Sequence, residues 1–341
     1  MMLDFDERLI QFAKNPESGP RVVVIGGGTG LSMLLRGLKL YSHNLTAIVT
    51  VADNGGSSGM LREDLGMLPP GDIRNCILAL ADTEPLLSEL FNFRFKDGRL
   101  QGQSFGNLFI AAMNEVCGNF TDAIRNVSKV LAVEGKVLPV SLSTIDLVAH
   151  LADGTTIKGE AQIGARKPSP ENRIIRLSML PEDAQPLPEA VQAIQSAEVI
   201  VLGPGSLYTS IIPNLLFPPI VAAIRKNPVA KIYVSNIMTQ PAETLGYTAG
   251  DHVRAILEHA GQSSGRGLID HCITNNAWIE ERLIEKYQLE SAVPVQPDKD
   301  VLQSLGVQVF EAPLAIVSTG VIRHDHTLLA RLVLGLGLAH R

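Results

Sequence analysis

Residues able to hold a phosphate ester are concentrated in a few short stretches of the sequence. The first is Gly26-Gly27-Gly28-Thr29-Gly30, which follows the apolar run VVVI and precedes Leu31, Leu34, Leu35 and Leu38 at helical spacing. Glycine lets a ligand approach the backbone closely, and the helix that follows offers unpaired N–H groups and the positive end of its dipole. The dinucleotide pattern G-x-G-x-x-G fails at its last position, which is Leu31, and no G-K-[ST] follows. The stretch therefore reads as a tight turn or a phosphate seat, and not as an NAD loop.

Asp53 stands 25 positions after Gly28 and leads into Asn54-Gly55-Gly56-Ser57-Ser58-Gly59. Its carboxylate could hold a divalent cation such as Mg2+, bind a hydroxyl, or act as a base. Asn54, Ser57 and Ser58 make the segment too polar for a plain connection, so it reads as a loop able to close. In LPPGDIRN, Asp72 is expected to cap a helix, Arg74 to grip a phosphate or carboxylate bidentately, and Asn75 completes the run. SFGNLF offers Ser104 as a cap, with Gly106 and Asn107 in the first turn, and reads either as an anion site or as an ordinary helix cap.

LGPGSLYTSIIPNLL repeats the first device in kind. Gly203 and Gly205 flank a tight turn, Ser206 can cap, and Thr209 follows one turn on. Two such loops suggest a clamp on a diphosphate. Asn236, Thr239, Gln240, Asn275 and Asn276 follow strand-like runs, and their amides suit a sugar or a base edge.

Residues 26–30, 53–59, 104–107 and 203–209 contain no lysine or arginine. Backbone amides, hydroxyls and helix ends would have to hold the phosphate. Charge-assisted hydrogen bonds are worth roughly 1.5–3 kcal/mol each and a helix end about 0.3–1 kcal/mol. Three or four of them approach the roughly −8 kcal/mol of a micromolar ligand after ordering costs. A lysine is not required. His324 and His326 tempt as a metal pair, but on one helix they would point apart; Asp325 is the expected helix cap there.

The chain of 341 residues has 45% hydrophobic residues, 19% charged residues and a formal net charge of −6, an ordinary globular composition. No basic block exists to displace counterions, which argues against nucleic acid as a partner. Cys76, Cys117 and Cys272 are isolated and read as small apolar residues in a reducing cytoplasm. The opening MMLDFDERLIQF is acidic and helical in pattern, unlike a signal peptide. The most apolar tract, residues 200–224, is broken by four prolines, so no membrane span is expected.

These stretches must be positioned by an α/β frame. A helix over residues 4–14 and the linker NPESGP precede a strand at 22–25, a helix, and a strand at 45–51. Residues 137–180 alternate, carry an Asp153-Gly154 turn, and read as an antiparallel β insertion. The α/β rhythm resumes with AEVIVL, KIYVSN, a helix from an Asp251 cap to Gly261, and HCIT. The expected fold is a Rossmann-like three-layer sandwich with a mostly parallel sheet and its ligand crevice at the strands' carboxyl ends. One domain is expected over 21–330, after an N-terminal helix and linker (1–20) and before a tail (331–341). The tail's LARLVLGLGL reads as core or as a subunit contact of a homo-oligomer.

Taken together, VVVIGGGTGLSMLLRGLK, VTVADNGGSSGMLR, LPPGDIRNCILAL, SFGNLF, LGPGSLYTSIIPNLL, NIMTQPAET and ITNN resemble one family, the CofD/YvcK-like (UPF0052) proteins. The similarity is to its bacterial branch, the gluconeogenesis factors. It implies a Rossmann-like fold and one of two activities. The archaeal branch consists of Mg2+-dependent 2-phospho-L-lactate transferases using a guanosine-diphosphate-type donor. The bacterial branch implies binding of a uridine-diphosphate sugar, with roles in gluconeogenic growth, cell shape and wall synthesis. Gly27, Gly28, Thr29 and Gly30 match the shared first loop, Gly203, Gly205 and Ser206 the second, and Asp53 the acceptor or metal position. The aromatic residues that would seat a deazaflavin are missing from DNGGSSGMLRED. No tightly bound cofactor is expected, and a regulatory protein partner is.

Overall fold

The computed structural model describes residues 2–339 apart from 168 and 170, with side chains from Glu7 onward. Twelve strands follow in chain order. They are β1 (Val22–Gly26), β2 (Leu45–Val49), β3 (Lys136–Pro139), β4 (Asp146–Leu151), β5 (Thr156–Lys158) and β6 (Ile174–Leu180), then β7 (Val199–Leu202), β8 (Lys231–Val234), β9 (His271–Asn275), β10 (Gln308–Ala312), β11 (Ala315–Ser318) and β12 (Val321–His324).

Seven of them form one parallel sheet in the order β10-β9-β8-β7-β1-β2-β3. β1, β7 and β8 are buried at every position, as strands covered on both faces must be. From β1 the chain winds outward through β2 to β3, then returns to place β7 on the other side of β1. The winding direction therefore reverses between β1 and β7, and the two glycine loops leave the carboxyl ends of those two strands. This is the crevice in which open α/β sheets bind ligands.

The antiparallel insertion is the sheet β5-β4-β6, and it starts at Asp146 rather than at 137. Val137 belongs to β3, which pairs in parallel with β2, Val137 opposite Ala47. Pro139 lacks a donor but is tolerated there because β3 is an edge strand. β10 and the hairpin β11–β12 extend the fold beyond the last strand expected from the sequence.

Helix Ala249–His259 is capped by Thr248 and not by Asp251. Asp251 is its third residue and closes a reciprocal capping box with Thr248. Asp325 caps helix His326–Leu338, accepting from the amides of Thr327 and Leu328. That helix buries Leu329, Ala330, Val333, Leu334 and Leu338, so the segment set apart as a tail at 331 is core as far as Leu338. Residues 340 and 341 lie outside the described part. Among the described residues, no single helix is long and apolar enough to cross a membrane. Cys76 and Cys272 are buried, whereas Cys117 is half-buried.

Candidate functional site

Gly27 is extended and hands the chain from β1 to helix Gly28–Lys39. The two glycine loops are packed against each other. A Cβ on Gly30 would lie 2.6 Å from the carbonyl oxygen of Pro204, and one on Gly27 would lie 2.6 Å from Oδ2 of Asp72. Glycine is required at both positions by contact rather than by dihedral angle. The Gly28 amide faces the Asp72 carboxylate and pulls its pKa down. The next amides, of Thr29 and Gly30, lie in the first helical turn and have no intrahelical acceptor.

A cavity of about 310 Å³ opens over this turn. Gly27, Gly28, Thr29 and Gly30 line it from the first loop, Gly205 and Ser206 from the second, and Asn236, Thr239 and Gln240 from the loop after β8. Gln240 donates to the Ser206 hydroxyl at 2.7 Å, and Asn236 donates to Gln240 at 3.3 Å. Thr239 is engaged structurally, exchanging hydrogen bonds with the backbone of Val293. Tyr287, Arg323 and His324 also line the cavity. None of these three was singled out for this site from the sequence. Arg323 and His324 lie on β12, where the only sequence signal is the RHDH pattern, which suggests a metal pair instead.

The second loop differs from its expected role. Its first-turn amides are already occupied by a carboxylate of the chain itself. Glu243 Oε2 accepts from the amides of Tyr208 at 2.8 Å and Thr209 at 3.3 Å, and Glu243 Oε1 accepts the Thr209 hydroxyl at 2.7 Å. Ser206 does not cap this turn by its side chain. A symmetrical two-loop clamp is therefore not what the structure contains. Gly203 stays within the turn, and the open amides belong to the first loop.

Residues 53–59 also depart from expectation. Helix Gly56–Leu65 begins inside them, so they do not form a free loop. The Ser57 hydroxyl donates to Gln103 at 2.6 Å and accepts from Asn107 at 3.0 Å, and Ser58 accepts from the Gly71 amide at 3.1 Å. Both serines are buried as pins between helices. Asn54 accepts from the Ala161 amide at 2.8 Å and donates to Gln162 at 3.1 Å, fastening the antiparallel insertion to the rim of the site.

Asp72 is the second residue of helix Gly71–Leu80 and does not cap that helix by its side chain. Burial and the nearby Asp53 charge raise its pKa to about 6, against the pull of the Gly28 amide and Arg74. Glu160, the first residue of helix Glu160–Ala165, is raised to about 8 by burial and then by Asp53, Glu243 and Asp72. Asp53 Oδ1 accepts from the Gly55 amide at 2.9 Å. Asp53 and Asp72 could offer two oxygens to a hard divalent cation such as Mg2+, but among the described residues these carboxylates and Glu160 do not form a cluster of three ligands close enough to share one ion.

Arg74, Asn75, Ser104, Gly106 and Asn107 gather beside this region but do not line the cavity. Arg74 is buried, donates to the Ser104 hydroxyl, and donates to Asn75 at 2.8 Å. Its Nε and the Asn107 Oδ1 have no partner among the described residues. The arginine that lines the cavity is Arg323, not Arg74. Asn275 likewise serves the fold, its Oδ1 accepting from the amides of Ala277, Leu314 and Ala315.

This geometry can be set beside known proteins. The family model described as 2-phospho-L-lactate transferase CofD matches residues 22–315, which include all seven strands of the parallel sheet and both loops. The chain belongs to the CofD family. Within the CofD family it is 47% identical over 318 residues to the gluconeogenesis factor of Bacillus subtilis, covering 93% of this chain and 98% of that one. It is 46% identical over 314 residues to the gluconeogenesis factor of Halalkalibacterium halodurans, covering 92% and 95%. A crystal structure of a UPF0052-family protein from Bacillus halodurans superposes with a TM-score of 0.86 at 46% identity, covering 92% of this chain and 98% of that one.

Proposed function

We propose that this CofD-family chain is a cytoplasmic regulatory factor that binds a uridine-diphosphate sugar, UDP-N-acetylglucosamine or UDP-glucose. It would serve gluconeogenic growth, cell shape and wall synthesis. The observation that carries this reading is one cavity in which the Thr29 and Gly30 amides stand with Arg323, Ser206, Asn236 and Gln240. The amides and the guanidinium suit a diphosphate, since a guanidinium bonds phosphate oxygens in a planar fork. The amide side chains suit uridine or sugar, because each both donates and accepts. Opening the Ser206–Gln240–Asn236 chain on binding would alter the loop after β8, and a partner protein would read occupancy there.

The Asp53 and Asp72 carboxylates favour a second reading, an Mg2+-dependent transferase acting on a nucleoside-diphosphate donor. Asp53 and Asp72 would hold the ion, which supplies neutralising charge when bound. In that case Asp53 would also orient the acceptor hydroxyl, and the first-loop amides would stabilise charge on the departing nucleotide. Calorimetry with UDP-N-acetylglucosamine, GDP and NAD, with and without Mg2+, separates the readings. Saturable UDP-sugar binding, with the sugar recovered intact, supports the first. Turnover lost in Asp53→Asn supports the second. Binding of NAD alone overturns both.

A further inference from the structure

His324 ends β12 and lines the cavity next to Arg323. Its ring is buried, and its Nε2 lies 3.1 Å from the carbonyl oxygen of Ser235 at the end of β8. A carbonyl oxygen can only accept, so Nε2 carries the hydrogen and Nδ1 is left as a bare acceptor. Burial pushes the pKa down to about 4, which keeps the ring neutral near pH 7. The two ring nitrogens point in diverging directions, so Nδ1 is turned away from Ser235. The Thr29 and Gly30 amides, by contrast, only donate.

The lone pair on Nδ1 repels the oxygens of a phosphodiester, which carry no hydrogen, and attracts a hydroxyl or an N–H. We infer that His324 is a specificity-determining residue whose Nδ1 accepts from the uncharged part of a nucleoside-diphosphate sugar, orienting its diphosphate toward the Thr29–Gly30 turn. The inference rests on the nucleotide reading proposed above and adds the direction in which the ligand lies. It also states what the cavity refuses: a ligand offering only acceptors at that end.

Two substitutions divide the roles of the ring. A glutamine amide reaches the place of Nε2 and can keep the bond to Ser235 while removing the Nδ1 acceptor. An asparagine amide reaches the place of Nδ1 and can keep an acceptor there. Titration with UDP-N-acetylglucosamine is expected to show His324→Gln about tenfold weaker than the parent, the size of one neutral hydrogen bond at the upper end of its range. His324→Asn should recover most of that loss. Inorganic pyrophosphate, which lacks nucleoside and sugar, should bind all three alike. Unchanged UDP-sugar affinity in His324→Gln, or an equal loss for pyrophosphate, would overturn the inference.

Nitrogen-15 spectra of the unmodified protein provide a readout independent of how the variants fold. Hydrogen on Nε2, with an Nδ1 signal that moves on ligand addition, is expected. Hydrogen on Nδ1, or an Nδ1 signal unmoved at saturating UDP-N-acetylglucosamine, removes the inference and leaves the nucleotide reading standing. Failure of the unmodified protein to bind the UDP sugar removes both.

Discussion

Glu243 holds Thr209 through two bonds, one from the threonine hydroxyl at 2.7 Å and one from its amide at 3.3 Å. The same carboxyl group takes the Tyr208 amide, so an internal acceptor occupies the turn where a ligand phosphate is expected from the sequence. The chain thus contains two strand-to-helix turns of like sequence and unlike use. The first is open to the cavity, and the second is closed by the chain itself.

This relationship sets the first prediction. Glu243 is buried, so Glu243→Ala leaves the Tyr208 and Thr209 donors unsatisfied. The cost of a buried unsatisfied group is about 1–3 kcal/mol, and denaturant unfolding should show a loss of about that size or more. Glu243→Gln keeps an acceptor and should lose less.

Two arginines should respond in opposite ways. Arg323 is exposed at the cavity, so Arg323→Ala should leave the unfolding midpoint nearly unchanged. Its loss should weaken UDP-sugar binding by about tenfold to hundredfold, matching about 1.5–3 kcal/mol for a charge-assisted contact. Arg74 is buried on Ser104 and Asn75, so Arg74→Ala should lower stability clearly and affinity only through the scaffold. Calorimetry paired with thermal unfolding distinguishes the two patterns.

The carboxylates predict a pH dependence with a definite sign. Asp72 and Glu160 have folded-state pKa values raised to about 6 and about 8, above their ordinary values. Between the ordinary and the raised pKa the folded chain binds more protons than the unfolded chain, so stability falls as pH rises. For Asp72 that fall should run up to about pH 6, and for Glu160 up to about pH 8. Glu160→Gln should flatten the upper part of the profile. Mg2+ should raise the melting temperature more at pH 8 than at pH 6, because the ion takes the place of bound protons; equal shifts would speak against a cation among these groups.

The frame was readable because its signals are local. Apolar runs entering glycine at 26 and 203 mark β1 and β7, and the leucines from Leu31 to Leu38 mark the helix between the crevice and the core. What escaped depends on distant contacts. Glu243 lies in TQPAET, a stretch read for its amides, and only the fold returns its carboxylate to an amide 35 residues earlier. Arg323 rides on a hairpin whose strands pair only with each other, which leaves a weak pattern in the sequence. Ser57 and Ser58 read as loop residues because the stretch around them is polar, whereas helix Gly56–Leu65 buries them as pins. Val137 reads as part of the insertion because alternation alone does not distinguish an edge strand of a parallel sheet from an antiparallel one.

The most direct measurement is a crystal structure of the protein soaked with UDP-N-acetylglucosamine. The diphosphate is expected on the Thr29 and Gly30 amides beside Arg323, with the second turn still closed by Glu243. Ligand bound elsewhere, with that cavity empty, would contradict the reading.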